Sequence, residues 1–156
     1  MIEMLRVDHR LLHGQVAFSW TSTLGADCIL IANDTAATNE LKKTAMRLAK
    51  PNGVKLVIKT VPDSIKALNK GVTDKYKLFI VVSNINDAKE IVENYQGVKS
   101  INIGGTSPAD DKTNITKTIA VTSKEKEVMR KLINNGVDIY IQMVPSNSKV
   151  SVEKLL

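Results

Sequence analysis

The stretch Cys28-Ile29-Leu30-Ile31-Ala32 contains no charged or amide side chain, and it points directly to the fold class. A short run that is apolar throughout is typical of a strand buried on both faces of a parallel sheet. Similar short runs recur along the chain with helical patterns between them. The sequence therefore predicts seven strands, over residues 2–7, 28–32, 54–58, 77–82, 98–103, 118–121 and 137–143.

The segments between these strands predict helices. Residues 14–24 place Val16, Ala17, Trp20 and Leu24 on one helical face, which favours a core role for Trp20 over a contact surface. Further helices are predicted between Asn33 and Gly53, from Val61 to Gly71, from Ser83 onward, from a cap at Ser123 to Gly136, and over 148–156. The alternation predicts an α/β fold with an open, mostly parallel central sheet of about six to seven strands and helices on both faces.

The composition fits one soluble domain spanning residues 1–156. Of the 156 residues, 43% are hydrophobic and 24% are charged, which is ordinary for a globular protein. The N-terminus lacks a basic segment followed by an apolar stretch, and no apolar run approaches the ~20 residues that span a bilayer. We therefore expect a cytoplasmic protein that reaches a membrane only by docking.

The chain is basic, with 22 lysines and arginines against 16 acidic residues and a formal net charge of +6. The lysines are scattered and aromatic residues are few, so we expect no nucleic-acid partner. An acidic protein surface or a phosphorylated ligand suits the charge better. The single cysteine, Cys28, lies in an apolar strand and is interpreted as a buried core thiol rather than a reactive one.

In parallel α/β sheets the active site lies beyond the carboxyl ends of the strands, and the richest such position here follows the first strand. It holds both histidines of the chain, His9 and His13, together with Asp8 and Arg10. Imidazole is nucleophilic near neutral pH, and a guanidinium offers paired donors to phosphoryl oxygens. This composition indicates phosphoryl transfer through a histidine.

The residues that open the following helix suit the same chemistry. Gly14 lets the backbone come close to a ligand, and the free N–H groups of Gly14, Gln15 and Val16 can bind an anion at the helix N-terminus. Asp8 can orient an imidazole by accepting from the nitrogen that does not react. No nucleotide or other cofactor is required for this chemistry.

Several other interpretations stay open at this point. His9 and His13 are spaced i, i+4, which suits zinc in a metal-dependent hydrolase if the segment is helical, although we expect no metal. Gly104-Gly105 follows a strand and is either a tight turn with positive φ or a close approach of backbone to a ligand or to the His13 loop. The pair Asn33-Asp34 is either a helix cap or lines the site, and the polar loop 106–117 is expected to border it. A non-catalytic regulatory or ligand-binding domain on the same fold is the alternative function.

The run Arg6-Val7-Asp8-His9-Arg10-Leu11-Leu12-His13-Gly14-Gln15-Val16 resembles a family signature. It is similar to the pattern R-[IV]-D-x-R-L-[IL]-H-G-Q-V that follows the first strand in the IIB component of the mannose/fructose/sorbose class of bacterial sugar phosphotransferase systems. The resemblance covers essentially the whole chain. Further matching positions are Trp20, Asn33-Asp34, Met46 to Pro51, Asn102 to Gly105, and Gly136 to Pro145 with Gln142.

This resemblance implies a function and a set of partners. The family's IIB component receives a phosphoryl group from a phosphohistidine on its IIA partner and carries it on the Nδ1 atom of the histidine before Gly-Gln, here His13. It then passes the group to a hexose-class sugar imported by the membrane components IIC and IID. Arg10 is the implied phosphate partner, and Asp8 matches the family's first aspartate. The family often has an acidic residue or Asn where this chain has His9, and neither the sugar nor the oligomeric state follows from the sequence.

Overall fold

The central sheet of the computed structural model, which describes residues 1–156, contains seven strands and confirms the predicted α/β class. The strands of the protein are β1 Ile2–Asp8, β2 Cys28–Ala32, β3 Lys55–Lys59, β4 Leu78–Val82, β5 Ser100–Gly105, β6 Thr113–Asn114, β7 Ala120–Val121, β8 Asp138–Ile141 and β9 Val150–Ser151. The strand order of the central sheet is β3-β2-β4-β1-β5-β8-β9, and every pairing in it is parallel except that of β9 with β8.

Helices cover both faces of the sheet, and the sheet separates the core into two apolar clusters. The helices are α1 Gly14–Leu24, α2 Asp34–Ala37, α3 Glu40–Ala49, α4 Val61–Asn69, α5 Ile85–Asn94 and α6 Ser123–Asn134, followed by a 3₁₀ turn Val152–Leu155. One apolar cluster includes residues of α4, α5 and α6, and the other includes residues of α1, α2 and α3. Within β2, Leu30 faces the first cluster and Ile29 and Ile31 face the second, so the apolar run is buried on both sides as predicted.

The connections place a crevice at the carboxyl ends of β1 and β5. The chain leaves β1 through α1 toward β2 on one side of the sheet, whereas it leaves the neighbouring β5 through α6 toward β8 on the other. Open α/β sheets bind ligands where adjacent strands diverge in this way. The loop 9–13 and the end of β5 therefore meet at the position that the topology favours for a site.

The core predictions for individual side chains are confirmed. Trp20 is 3% exposed, and its indole Nε1 donates to the carbonyl oxygen of Met143 at 2.9 Å. Cys28 is buried, and burial raises the pKa of its thiol, as expected for an unreactive core cysteine. No helix is both long and apolar enough to cross a bilayer.

Four local predictions are wrong. The segment between Asn33 and Gly53 forms two helices, because Asn39 caps a second start by accepting from the N–H of Lys42. The segment 106–117, expected to be a loop, contains β6, which pairs antiparallel with β7 of the predicted strand 118–121 in a separate two-stranded sheet. The cap of α6 is Thr122 in a capping box with Glu125, and Ser123 is the first helical residue.

The fourth error concerns the C-terminus, where residues 148–156 were expected to form a helix. Val150 and Ser151 instead pair with Ile141 and Tyr140 as the edge strand β9, and only a 3₁₀ turn follows. The turn inserts the fully buried Val152 into the core. Burial of that side chain and the ladder to β8 outweigh the weak local helical preference of so short a segment.

Candidate active site

His13 lies at the junction between the loop after β1 and helix α1. It is the N-cap residue, with extended backbone (φ −148°, ψ 140°), and its side chain makes no capping hydrogen bond. Two positive φ angles shape the junction, 59° at Leu11 and 42° at Gly14. A positive φ at a non-glycine residue such as Leu11 is a strained conformation that tertiary contacts must hold, and such positions cluster at functional sites.

The side chain of Asp8 is the centre of the cluster around His13. It is fully buried at the end of β1. Its Oδ1 accepts from the backbone N–H of Arg10 at 3.0 Å and from Arg10 Nε at 3.1 Å. Its Oδ2 accepts from Arg6 Nη2 at 3.1 Å and lies 3.1 Å from His13 Nε2. One carboxylate thus holds two arginines and the imidazole in fixed positions.

These contacts set the charge state of Asp8. Burial alone would raise the pKa of the carboxyl group, but the hydrogen bonds from Arg10 and His13 and the positive charge of Arg6 outweigh it. The pKa of Asp8 therefore lies below its ordinary value. An ionised carboxylate only accepts hydrogen bonds, so the contact at 3.1 Å requires a proton on His13 Nε2. In the neutral imidazole, Nδ1 then carries the lone pair and is the nucleophilic atom.

The lowered pKa of Asp8 links folding to pH. Because the folded-state pKa lies below the unfolded value, the ionised group stabilises the fold above about pH 4, and this contribution is lost as the pH falls through the folded-state pKa. We expect the free energy of unfolding to decrease on acidification below about pH 4, and to decrease less in an Asp8→Asn variant. Urea denaturation measured stepwise from neutral to acid pH checks this. An equal loss in both proteins would contradict it.

Arg6 is the functional residue that the sequence interpretation left out of the site. Its side chain is 2% exposed and donates from Nη1 to Asn102 Oδ1 at 2.7 Å and from Nη2 to Asp8. It also donates to the carbonyl oxygens of Gln142 and Met143 at 3.1 and 2.9 Å. Arg6 and Asn102 are register partners on β1 and β5. The available signal was a charged residue between Leu5 and Val7 and an amide between Ile101 and Ile103, since polar groups buried among apolar neighbours require partners.

The two glycines at the end of β5 leave space for the polar side chains around Asp8. Neither has positive φ and both belong to the strand, so the tight-turn interpretation of Gly104-Gly105 is wrong. A Cβ atom at Gly104 would overlap the guanidinium of Arg6. At Gly105 it would lie 3.3 Å from Arg10 Nη2 and from His9 Nδ1. The His9 N–H donates to the carbonyl oxygen of Gly105 at 3.2 Å, so the second interpretation, close approach to the His13 loop, describes this contact.

A methyl group at Gly104 is expected to disrupt this packing. Because the overlapping atoms belong to a buried guanidinium held by four partners, Gly104→Ala should destabilise the protein by about 1–3 kcal/mol or more. Gly105→Ala is the matched control, since its new contacts of 3.3–3.4 Å are only slightly tight. Thermal unfolding of both variants measures the difference. Equal melting temperatures would show that Arg6 is not fixed against Gly104.

The surroundings of His13 Nδ1 suit an anion. Arg10 spans both oxygens of Asp8 with Nε and Nη2, yet 42% of its side chain stays exposed. The first hydrogen bond of α1 runs from the Ala17 N–H to the His13 carbonyl, so the N–H groups of Gly14, Gln15 and Val16 have no intrahelical acceptor. The other five α-helices are capped by the side chains Asn33, Asn39, Thr60, Asn84 and Thr122. Two guanidinium groups against one carboxylate also leave the cluster positively charged.

His9 lies beside this cluster without a hydrogen bond from its ring. Its Nδ1 is 3.9 Å from Asp8 Oδ1 and the side chain is 35% exposed. Both histidines precede α1, so they do not stand one turn apart on a helix as the zinc interpretation required. No group of three or more His, Cys, Asp or Glu side chains is placed to hold a metal ion.

Asn33 and Asp34 are engaged in capping. Asn33 Oδ1 accepts from the N–H of Ala36 at 2.8 Å and its Nδ2 donates to Ser83 Oγ, while Asp34 Oδ1 accepts from the N–H of Val61. Neither side chain hydrogen-bonds to the His13 cluster, so the capping interpretation accounts for both. The loop that begins at Thr106 follows directly from Gly105 and therefore starts beside the site.

Comparison with known proteins shows the family of this chain. The profile described as the PTS system sorbose subfamily IIB component matches residues 2–156. A probable phosphotransferase enzyme IIB component of Streptococcus pyogenes serotype M6 is 34% identical over 100% of this chain and 99% of its own length. The mannose-specific EIIAB component of Escherichia coli K12 is 27% identical over 100% of this chain but 48% of its own length, so the chain spans about half of that relative.

A solved structure shows the same architecture. The crystal structure of the IIBSor domain of the sorbose permease from Klebsiella pneumoniae superposes with a TM-score of 0.94 at 26% identity. The superposition covers 99% of this chain and 95% of the other. The likeness in sequence and in structure therefore extends over nearly the entire length of both chains.

Proposed function

The chain belongs to the sorbose subfamily of PTS IIB components, phosphotransferases of sugar transport, and from this premise we propose that it carries the phosphoryl group on Nδ1 of His13. The observation that carries the proposal is the contact between Asp8 Oδ2 and His13 Nε2 at 3.1 Å. It leaves Nδ1 as the only ring nitrogen with a free lone pair. The unpaired N–H groups at the start of α1 and the partly exposed Arg10 supply positive charge for a phosphoryl group at that atom.

In the first step, the Nδ1 lone pair attacks the phosphorus of a phosphohistidine on the donor. The phosphorus–nitrogen bond of the donor breaks as the new bond to Nδ1 forms, and each imidazole keeps the proton on its other nitrogen. The positive charge that develops on the His13 ring faces the Asp8 carboxylate, which stabilises it. Arg10 and the α1 N–H groups bind the three phosphoryl oxygens during transfer.

In the second step, a hydroxyl oxygen of the sugar attacks the same phosphorus. The bond to Nδ1 breaks, the hydroxyl proton passes to solvent water, and the His13 ring returns to its neutral form with Nε2–H still facing Asp8. Arg6 contributes indirectly, because it holds Asp8 in place from behind the site. Asp8 and Arg6 are therefore positioning residues, whereas His13 and Arg10 contact the transferred group.

We propose that the donor is a IIA component and that the acceptor is a hexose-class sugar bound by the membrane components IIC and IID. The E. coli relative, whose name joins the letters A and B, supports a IIA donor. The names of the relatives include both mannose and sorbose, so they support a hexose class without selecting one sugar. Because the proposed acceptor is bound by membrane components, we propose that the chain acts at the cytoplasmic face of the membrane.

A two-stage labelling experiment tests this function. The purified chain is incubated with the energy-coupling proteins, IIA and ³²P-labelled phosphoenolpyruvate, and we expect one acid-labile, base-stable phosphate per chain, as for a phosphoramidate. Addition of membranes that contain IIC and IID with the correct sugar should then discharge the label to sugar phosphate. Binding of IIA without labelling would contradict the proposal and support the non-catalytic alternative.

A further inference from the structure

Helix α3 carries an apolar stripe on its outward face. Leu41 and Leu48 are 81% and 83% exposed, and the small exposed residues Thr44 and Ala45 lie between them. These positions follow the spacing i, i+3, i+4 and i+7, which places them on one side of the helix. The only buried residue of α3, Met46, lies on the opposite side and joins the core. The outward leucines therefore contribute nothing to the packing of this domain.

Positive charge flanks the stripe on both sides. Lys42 and Arg47 are exposed and form no ion pair, while Lys43 lies 3.6 Å from the carboxylate of Glu40. A second copy of the chain would bring the same lysine and arginine against each other, and a single helix of ten residues offers less area than a stable dimer interface needs. Both features disfavour self-association through α3.

A lipid surface is also a poor binding partner for this stripe. Helices that lie in the membrane interface present broad apolar faces with Trp, Phe and Leu, whereas this stripe has two large side chains and no aromatic residue. Two leucine side chains contain fewer carbon atoms than one myristoyl chain, which by itself gives only marginal membrane binding. The spacing instead matches an amphipathic helix that docks into an apolar groove of a partner protein.

We propose that α3 docks into an apolar groove with an acidic rim on the membrane components that receive the phosphoryl group. This proposal rests on the proposed function for the identity of the partner. Leu41 and Leu48 fill the groove, and Lys42 and Arg47 face carboxylates at its edge. The crossover from β2 places the start of α3 toward the carboxyl edge of the sheet, where His13 lies. Docking there holds the carrier beside its acceptor and leaves His13 exposed for transfer.

The test compares a Leu41→Gln/Leu48→Gln double variant with the wild type. Glutamine preserves helix propensity and approximate size, and Val72→Gln, at a residue 58% exposed after α4, is the matched control. Binding of the unphosphorylated chain to detergent-solubilised IIC and IID is expected to weaken about tenfold or more in the double variant and to stay unchanged in the control. Labelling by phosphorylated IIA should be equal in all three proteins.

Three results would overturn the docking proposal. The first is unchanged affinity of the double variant for IIC and IID. The second is wild-type binding to protein-free anionic phospholipid vesicles that matches its binding to the membrane components. The third is a wild-type dimer that the double variant loses. Since the binding step needs no phosphoryl group, a failure of the His13 assignment appears only in the labelling and remains distinguishable from a failure of docking.

Discussion

Replacing His13 with alanine should abolish phosphoryl acceptance from IIA, with a loss on the order of 10³-fold or more in the labelling rate. The reason is that His13 is the only imidazole hydrogen-bonded to Asp8, and this contact leaves its Nδ1 as the nucleophilic atom. Asp8 is fully buried, and both of its oxygens are engaged by Arg6, Arg10 and His13. The fold should be retained, because His13 is a partly exposed loop residue that caps no helix through its side chain. Initial rates of ³²P transfer and the melting temperature measure both parts.

His9→Ala is the matched control for this variant. His9 is the only other histidine, and its ring makes no hydrogen bond, so its removal should leave a labelled protein with the same acid lability. If the His13→Ala protein were labelled and the His9→Ala protein were not, the phosphoryl group would be carried by His9 instead. It would thereby refute the function assigned to the Asp8–His13 contact.

The largest effect on stability is expected for Asp8→Ala. This change leaves the Arg6 guanidinium buried without its carboxylate, and breaking one side of a buried ion pair costs about 3–5 kcal/mol. For a chain of this size the melting temperature should fall by roughly 6–20 °C. Phosphoryl acceptance should fall as well, because His13 Nε2 loses the acceptor that fixes its tautomer.

One double variant, measured in two ways, separates the structural and chemical parts of this effect. An Asp8→Ala/Arg6→Met double variant removes both charges, so it should be more stable than Asp8→Ala alone while accepting phosphate no better. Differential scanning calorimetry and labelling rates provide the two readouts. If Asp8→Ala melted within about 1 °C of the wild type, the buried pair would contribute little and the central position of Asp8 would be wrong.

Much of the site was predictable because its residues are close in sequence. Asp8, Arg10, His13 and Gly14 lie within one short connection after the first strand, so local reasoning brought them together. The predicted role of Asp8 in orienting the imidazole agrees with the observed contact to Nε2. The family signature then singled out His13 over His9, which residue chemistry alone had not done.

The missing part of the site depended on strand register. Arg6 meets Asn102, which is 96 positions away, only because β5 lies beside β1 with these residues paired. The order of the strands was not predicted, and so the partners of a buried arginine could not be named. The same limit explains why the turn interpretation of Gly104 stayed open. Its lack of a side chain leaves room for the Arg6 guanidinium, which could not be foreseen without the strand order.

The errors in the fold occur where tertiary contacts override the local sequence pattern. In the helix predicted between Asn33 and Gly53, the apolar residues of α3 do not all enter the core, because only Met46 is buried and Leu41 and Leu48 point outward. At the C-terminus, pairing of Val150 with Ile141 on the β8 edge decided the structure against helix formation. In both segments, tertiary contacts rather than the local pattern determine which side chains enter the core.

The most direct test is the position of the phosphate on the imidazole ring. Phosphorylated protein with ¹⁵N-labelled histidine is examined by NMR, and the ring nitrogen coupled to ³¹P is identified. The structure predicts phosphorus on Nδ1 of His13, with Nε2 still protonated and hydrogen-bonded to Asp8. Phosphorus on Nε2 of His13, or on either nitrogen of His9, would contradict the account.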